Sequence, residues 1–418
     1  MVSIAHCKWF CDPDFSRIMY LLNQGGDTSC IVGGAIRDSL MNIDVRDVDI
    51  ATTILPNIVM KIFSQTCYKV VPTGIAHGTV KVVLRDKSFD ITTLRSDFIT
   101  DGRHAKVVFT RDWYADSIRR DFTINALYAD QKGNIIDYVG GLNDIMNRQV
   151  KFIGDARSRI REDYLRILRF FRFFAHYGKE SIDLDGLEAV VHTKEGLKIL
   201  SVERIWSEIM KLLEAKNPIC AVMHMRDSGV LQEIFPNIYG FSIDRLSLII
   251  AGEKNFGWQI DPLIRFIALI SLRDKQSILS MLKKLSCSRK IKYFFASYLK
   301  FNICENISKK EIDKLLYIYG KDVLISKLKI FLSLNYRKLD DKYTYNITKI
   351  IDDIPSWRKP VFPLTGDDIL KLGITPGKQV GDILSYCKKE WINSSFQLSY
   401  KSLLNLMNEL VKSPDKGK

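Results

Sequence analysis

Residues 31–51 read Ile31-Val-Gly33-Gly34-Ala-Ile-Arg37-Asp38-Ser-Leu-Met-Asn-Ile-Asp-Val-Arg-Asp47-Val-Asp49-Ile-Ala51. Gly33 and Gly34 remove two Cβ atoms just before a run, Ala35 to Met41, that predicts a helix. Such an opening brings backbone N–H groups and a positive helix terminus against phosphate oxygens. The following run, Asp47-Val-Asp-Ile-Ala51, predicts a strand. Alternation along a strand sends both carboxylates to one face and Val48 and Ile50 to the core. Paired carboxylates facing a phosphate cradle suit divalent-metal phosphoryl chemistry, because Mg²⁺ takes one or two carboxylates together with substrate phosphates. Alone, Gly-Gly before a helix is ordinarily a tight turn, and Asp-x-Asp a solvated strand end. Their joint occurrence, with Arg37 and Asp38 between them, carries the reading. The chain has no Gly-x-x-x-x-Gly-Lys-Ser/Thr loop and no Gly-x-Gly-x-x-Gly fingerprint, so neither of those phosphate-binding devices competes with it.

Outward from this stretch, the first 150 residues alternate short elements. Helical spacing runs from Phe15 to Leu22 and from Ile58 to Phe63. Strand-like runs occupy Lys69–Val71, Thr79–Leu84, Phe89–Leu94, Ile124–Ala129 and Ile135–Tyr138. Three successive strands without an intervening helix predict a small mixed or antiparallel sheet covered by helices. From Arg157 onward the pattern is helical, with breaks expected at Asn217-Pro218, Phe235-Pro236 and Ile354-Pro355 and a frayed tail over Pro414–Lys418. The fold class is therefore α+β, a mixed-sheet head followed by an all-helical remainder.

The 418 residues suffice for two or more domains. No apolar run of 18 residues occurs, so no membrane partner is expected. Met1 to Phe10 lacks a secretory signal's basic start and apolar centre. The eight cysteines are scattered without zinc-like pairing, which predicts reduced thiols and a cytoplasmic protein. Net charge is +14, yet residues 1–148 carry 17 basic and 17 acidic side chains. The whole surplus thus falls on the helical remainder, as expected if a long polyanion lies along it. Compositional drift toward lysine gives the same surplus.

Three further constellations carry chemistry. Asp90, in Phe89-Asp-Ile-Thr-Thr-Leu-Arg95, is a third strand carboxylate that either assists a metal or activates a hydroxyl, or is a strand-end residue paired with a nearby Arg. Arg119-Arg120-Asp121-Phe-Thr-Ile-Asn125 places adjacent guanidinium groups before a strand. Arginine suits bidentate contact with a triphosphate, while Asp121 and Asn125 hold a ribose or brace the arginines. Finally, Glu162 to Arg172 predicts a helix in which Asp163, Arg166, Arg169 and Arg172 recur every three residues along one side. A carboxylate and a guanidinium one turn apart read a base edge: Asp163 accepts from the exocyclic amine of C or A, and Arg166 donates to the ring nitrogen or carbonyl. G and U present the opposite polarity and leave both groups unpaired.

With these residues in hand, the chain resembles the class II nucleotidyltransferases, and within them the bacterial-type tRNA CCA-adding enzymes. Gly33-Gly34-Ala-Ile-Arg37-Asp38 with Asp47 and Asp49 is similar to that family's catalytic metal motif. Arg119 to Asn125 resembles its ribose and triphosphate motif. Asp137-Tyr-Val-Gly-Gly-Leu-Asn-Asp144 resembles its head–neck hinge, Glu162-Asp163-x-x-Arg166 its amino-acid template, and Val202-Glu-Arg-Ile-x-x-Glu208 its last neck motif. The resemblance implies a polymerase-β-like head over residues 1–148, a base-reading helical neck over 149–217, a body over 218–354 and an RNA-binding tail over 355–418. It implies that Asp47 and Asp49 hold Mg²⁺, that Gly34, Arg37 and Arg120 bind triphosphate, that Asp163 and Arg166 select the base with Arg169 and Arg172 beside the nucleotide, and that no protein partner is needed. The substrates it implies are CTP, ATP and the acceptor and TΨC arms of tRNA.

Related bacterial poly(A) polymerases carry an Arg-rich stretch where this chain reads Val71-Pro-Thr-Gly-Ile-Ala-His-Gly-Thr79, the form of CCA-adding members. Enzymes that add only C-C shorten a flexible loop that is retained here as Ser96 to Ala105. A non-catalytic RNA-binding relic has no reason to keep Asp47 and Asp49. No His-Asp phosphohydrolase signature is present. In the tail, Ile369 to Lys378 reads as a turn in which Gly377 and Lys378 hold an RNA phosphate, or as a plain helix cap.

Overall fold

The computed structural model describes residues 2–85, 87–98, 106–179, 181–238, 240–270, 289–303 and 307–412, with 276, 278 and 280. The chain divides into two compact units, Met1–Pro236 and Asn237–Lys418.

The N-terminal unit is built on a seven-stranded sheet. Its strands β1 (Ser29–Val32), β2 (Val48–Thr52), β3 (Lys69–Gly74), β4 (Thr79–Leu84), β5 (Lys87–Thr93), β8 (Leu127–Ala129) and β9 (Ile135–Asp137) lie in the order β3-β4-β5-β2-β1-β8-β9. Two short strands, β6 (Arg95–Phe98) and β7 (Lys106–Phe109), form a separate antiparallel ribbon. Only β2 and β5 pair in parallel, so the sheet is mixed as the sequence predicts. Ile50 and Ile91, register partners in β2 and β5, are buried on one face of the sheet.

Helices close the sheet. Helix α1 (Pro13–Leu22) starts where the Asp12 carboxylate accepts from the Asp14 and Phe15 amides, and it buries Phe15, Ile18, Met19 and Leu22 on one stripe. Helix α2 (Gly34–Leu40) follows β1 directly, and α3 (Pro56–Ser64) follows β2. Beyond the sheet come α4 (Trp113–Ile118), α5 (Gly141–Met146), α6 (Ala156–Glu162), α7 (Leu165–Tyr177), α8 (Leu184–Thr193), α9 (Val202–Leu213), α10 (Ile219–Asp227) and α11 (Val230–Ile234).

Several expectations need correction. Asp47 precedes β2 rather than lying within it, so strand alternation does not set its direction. The expected strand Ile124–Ala129 is a 3₁₀ turn, Thr123–Asn125, followed by the three residues of β8. The expected helix Glu162–Arg172 is two helices, because Asp163 is extended at φ −154° and ψ 105°. Its side chain accepts from the Leu165 amide at 3.1 Å, the local bond by which Asp competes with helix continuation. Of the loop Ser96–Ala105, residues 96–98 belong to β6 and 99–105 lie outside the described residues, as does the tail Pro414–Lys418.

The C-terminal unit is helical among its described residues. One apolar core joins Ile312, Leu316, Leu324, Leu328 and Ile347; another gathers Ile369, Cys387, Trp391, Leu403 and Met407. The predicted breaks fall where proline removes an amide: Pro218 precedes α10, Phe235 ends α11, and Ile354–Ser356 is a 3₁₀ turn. Among the described residues, no helix is long and apolar enough to cross a membrane.

Candidate active site

A cleft of about 490 Å³ in the N-terminal unit is lined by the Gly33-Gly34 turn, Asp49, six arginines (37, 119, 120, 166, 169 and 204) and the carboxylates of Asp121 and Asp163. Asn125, Leu165 and Phe173 complete it. Residues from β2, α2, the segment before β8, α7 and α9 thus converge on one cavity.

The glycine turn is required by space and by backbone. Gly33 has φ +73°, and a Cβ there would lie 3.3 Å from the Asn125 carbonyl oxygen. Its amide donates to the Leu127 carbonyl at 2.9 Å, which ties the turn to β8. Asp49 sits beside the turn because Val32 and Asp49 are register partners in β1 and β2.

Asp49 is also the register partner of Asp90 in β5, which brings those two side chains to the same face. Asp90 is held by Lys81 at 2.8 Å and does not line the cleft. Asp47 is exposed and also lies off the lining. The Asp49 carboxylate makes no hydrogen bond or ion pair among the described residues. Surrounding protein first, and then the Asp90 and Asp47 carboxylates, raise its carboxyl above the usual range, with Arg120 opposing. An unpartnered carboxylate under that pressure, with hard oxygen donors beside it, fits a divalent cation. Among the described residues there is no cluster of three or more His, Cys, Asp or Glu placed to hold a metal ion.

The arginine pair is organised by Asp116 in α4. Asp116 is 1% exposed; one oxygen accepts from Arg119 Nε at 2.8 Å and the other from Arg120 Nη2 at 2.9 Å. Tyr128 donates to the second oxygen at 2.7 Å. Burial alone would raise this carboxyl, but Arg120 and Arg119 outweigh it and hold it at about 2. Among the described residues neither Nη1 group has a partner, and Arg120 Nη1 lies beside Gly33.

Asp121 and Asn125 brace rather than project. Asn125 Nδ2 donates to Asp121 Oδ1 at 3.1 Å, and Arg169 Nε donates to Asp121 Oδ2 at 2.7 Å. Burial opposes ionisation of Asp121, while Arg169 and the amide of Asn125 more than offset it. Arg37, 6% exposed, donates Nη1 to Asn125 Oδ1, and its Nε reaches Asp38 at 2.9 Å. Asp38 serves that pairing and does not line the cleft.

Helix α7 is pressed into place by aromatic packing: Phe122 of the Arg119–Asn125 segment lies 5.2 Å from Phe173 and 4.9 Å from Phe152, which stacks on Phe170 at 5.2 Å. Asp163, at the α6–α7 break, pairs with Arg204 of α9 at 2.7 Å. Arg166 pairs with Glu162 at 2.6 Å and donates to the Arg119 carbonyl at 3.3 Å. Arg172 departs from the expected stripe. It turns to Glu208 of α9 at 3.2 Å and is not part of the cleft lining. The cause is helical pitch, since a three-residue repeat drifts around a 3.6-residue turn. Gly377 and Lys378 lie in the C-terminal unit, exposed, at the start of helix Lys378–Asn393.

Four residues at or beside the site receive no role from the sequence: Asp116, Phe173, Tyr177, whose hydroxyl accepts from Arg37 Nη2, and Arg204, quoted only as part of the last neck motif. Spacing was the available signal. Asp116 stands three and four residues before the arginine pair, and Phe173 and Tyr177 continue from Arg169 at four-residue intervals.

Comparison with known proteins gives one answer. The family described as "Poly A polymerase head domain" matches residues 29–151, and that described as "Probable RNA and SrmB- binding site of polymerase A" matches 181–241. The chain is 33% identical to mouse "CCA tRNA nucleotidyltransferase 1, mitochondrial" over 383 residues, covering 91% of this chain and 86% of that one. It is 31% identical to the "CCA-adding enzyme" of Staphylococcus haemolyticus over 364 residues, covering 85% and 87%. Among solved structures, the Bacillus stearothermophilus CCA-adding enzyme in complex with CTP superposes with a TM-score of 0.72 at 25% identity, over 97% of this chain and 100% of that one. A cleft of this composition on this fold, within relatives aligned over nearly their whole length, places the chain in the family of CCA tRNA nucleotidyltransferases, or CCA-adding enzymes.

Proposed function

We infer that the protein adds C, C and A to the 3′ end of tRNA from CTP and ATP, without a nucleic-acid template and with release of pyrophosphate. The observation that carries this reading is the single cavity in which Asp49, the Gly33-Gly34 turn and the Arg119/Arg120 pair face Asp163 and Arg166. In our reading residues 1–148 are the catalytic head, 149–217 the base-reading neck, 218–354 the body and 355–418 an RNA-binding tail with Gly377 and Lys378 among its contacts. The cytoplasm is the proposed compartment.

Each step is assigned to the chain's own residues. Gly33 and Gly34 admit the triphosphate to the backbone, and the Nη1 groups of Arg119 and Arg120 meet its oxygens. Arg37 and Asp38 shape that end of the cleft, and Asp121 and Asn125 orient the ribose while bracing Arg169. Asp163 accepts from the exocyclic amine of C or A, and Arg166 donates to the ring. To do so, Asp163 exchanges its partner Arg204 for the base. The proposed metal is Mg²⁺, held by Asp47 and Asp49, where it would activate the RNA 3′-hydroxyl and neutralise charge on the leaving pyrophosphate. Asp90 adds negative charge beside Asp49 that a bound cation would offset, and it is a proton acceptor once released from Lys81. Arg172 fixes the neck through Glu208.

The test is a tRNA transcript ending at the discriminator base, incubated with Mg²⁺ and CTP, ATP or both. Two C additions with CTP alone and a single terminal A with both are expected. A stop after two C in the presence of ATP identifies a partial enzyme, a long A tail a poly(A) polymerase, and no addition a binding relic.

A further inference from the structure

Helix α7 meets the head through a ladder of four-residue spacing, Arg169, Phe173 and Tyr177, and its last rung is used by none of the roles above. Tyr177 lies across from Arg37, the arginine that follows the Gly33-Gly34 turn. Its ring centroid is 3.9 Å from the Arg37 guanidinium carbon, and its hydroxyl accepts from Arg37 Nη2 at 2.7 Å. Phe173 flanks the same guanidinium at 5.2 Å.

The donors of Arg37 are nearly all committed. Nε and Nη2 reach Asp38, Nη1 reaches Asn125, and Nη2 also reaches Tyr177. A guanidinium has five N–H donors in a rigid plane, so these partners fix its position and leave one N–H, on Nη1, for the cleft that Arg37 lines. Of those partners, Asp38 neighbours Arg37 on α2 and Asn125 belongs to the segment before β8. Tyr177 alone comes from the base-reading helix. A planar cation held both at its face and at its edge keeps one orientation, whereas a cation held at its edge only can rotate.

We propose that Tyr177 is a positioning residue for nucleotide binding: it clamps the Arg37 guanidinium at face and edge, so that α7 presets the arginine beside the Gly33-Gly34 turn. This rests on the reading of the cleft as the CTP and ATP site. Because Tyr177 touches the arginine and not the base-reading pair Asp163 and Arg166, its effect is common to both nucleotides. A bond from a charged donor is removed in Tyr177→Phe, which keeps the stack. KM for CTP and for ATP should rise together, by roughly three- to thirty-fold, with kcat within about twofold of the parent. Tyr177→Ala removes face and edge and raises both KM values further.

Steady-state kinetics on the full-length protein with the tRNA transcript provide the readout, beside a thermal melt. A merely structural role lowers the melting temperature or the active fraction, hence kcat, and leaves KM in place. Should Tyr177→Ala fail to fold, Tyr177→Phe alone decides. Unchanged KM in Tyr177→Phe, a loss confined to kcat, or a KM change for one nucleotide only overturns the proposal. Failure of the underlying reading is distinct, since the parent protein itself would then add no nucleotide.

Discussion

Two arginine–carboxylate clusters, one in each unit, use the same chemistry to opposite ends. In the N-terminal unit, Asp116 is buried while Arg119 and Arg120 keep 14% and 20% of their side chains open. One carboxylate is shared between two guanidinium groups, and each cation retains an Nη1 for a ligand. In the C-terminal unit, Glu253 and Arg265 are 9% and 1% exposed, with Arg265 Nε at 3.0 Å and Nη2 at 2.6 Å from the same carboxylate. There the pair is satisfied inside the protein, between helices Ile243–Asn255 and Pro262–Leu269. Both clusters use guanidinium Nε and Nη2; what differs is that Arg119 and Arg120 line a cleft, whereas Arg265 is enclosed. An ion pair therefore indicates a site only when its geometry leaves hydrogen-bonding capacity facing a cavity.

The contrast can be broken or sharpened by substitution. Asp49→Ala is expected to have the largest effect, lowering kcat by a factor on the order of 10³ or more while RNA binding in a gel-shift assay stays near that of the parent. Retained transfer would mean that the cleft is not where chemistry occurs. Glu253→Ala takes the carboxylate away from a buried guanidinium and should remove about 3 kcal/mol from the C-terminal unit in urea unfolding, with KM for both nucleotides unchanged. A KM effect there would erase the distinction between the clusters.

Asp116→Asn should act on both quantities more modestly, raising KM for CTP and ATP roughly tenfold. It also carries a pH signature. The folded carboxyl titrates at about 2 against an ordinary 3.8, so its ionisation stabilises the fold above about pH 4 and that contribution is lost as pH falls through 3.8 toward 2. The difference between parent and variant in chemical denaturation should therefore shrink, on the order of 2 kcal/mol, between pH 5 and pH 2. A constant difference would show that the two arginines do not depress this group.

Sequence by itself determined the local features whose cause is local. Gly-Gly requires a conformation and a clearance that a Cβ forbids, alternation marked β4 and β5, and proline marked the helix breaks, because sterics and hydrogen bonding act within a few residues. The mixed sheet followed from strands too close in sequence for crossovers. Tertiary structure alone decided which charges remain available. That the Asp49 carboxylate has no partner among the described residues while Asp90 is held by Lys81 of the adjacent strand, and that Asp121 braces Arg169, depends on strand pairing and packing. It also set Arg172 against Glu208, Tyr177 against Arg37 and Arg204 against Asp163. Charge pairing is non-local and exclusive: each carboxylate or guanidinium has few bonding positions, and only packing fixes which neighbour fills them.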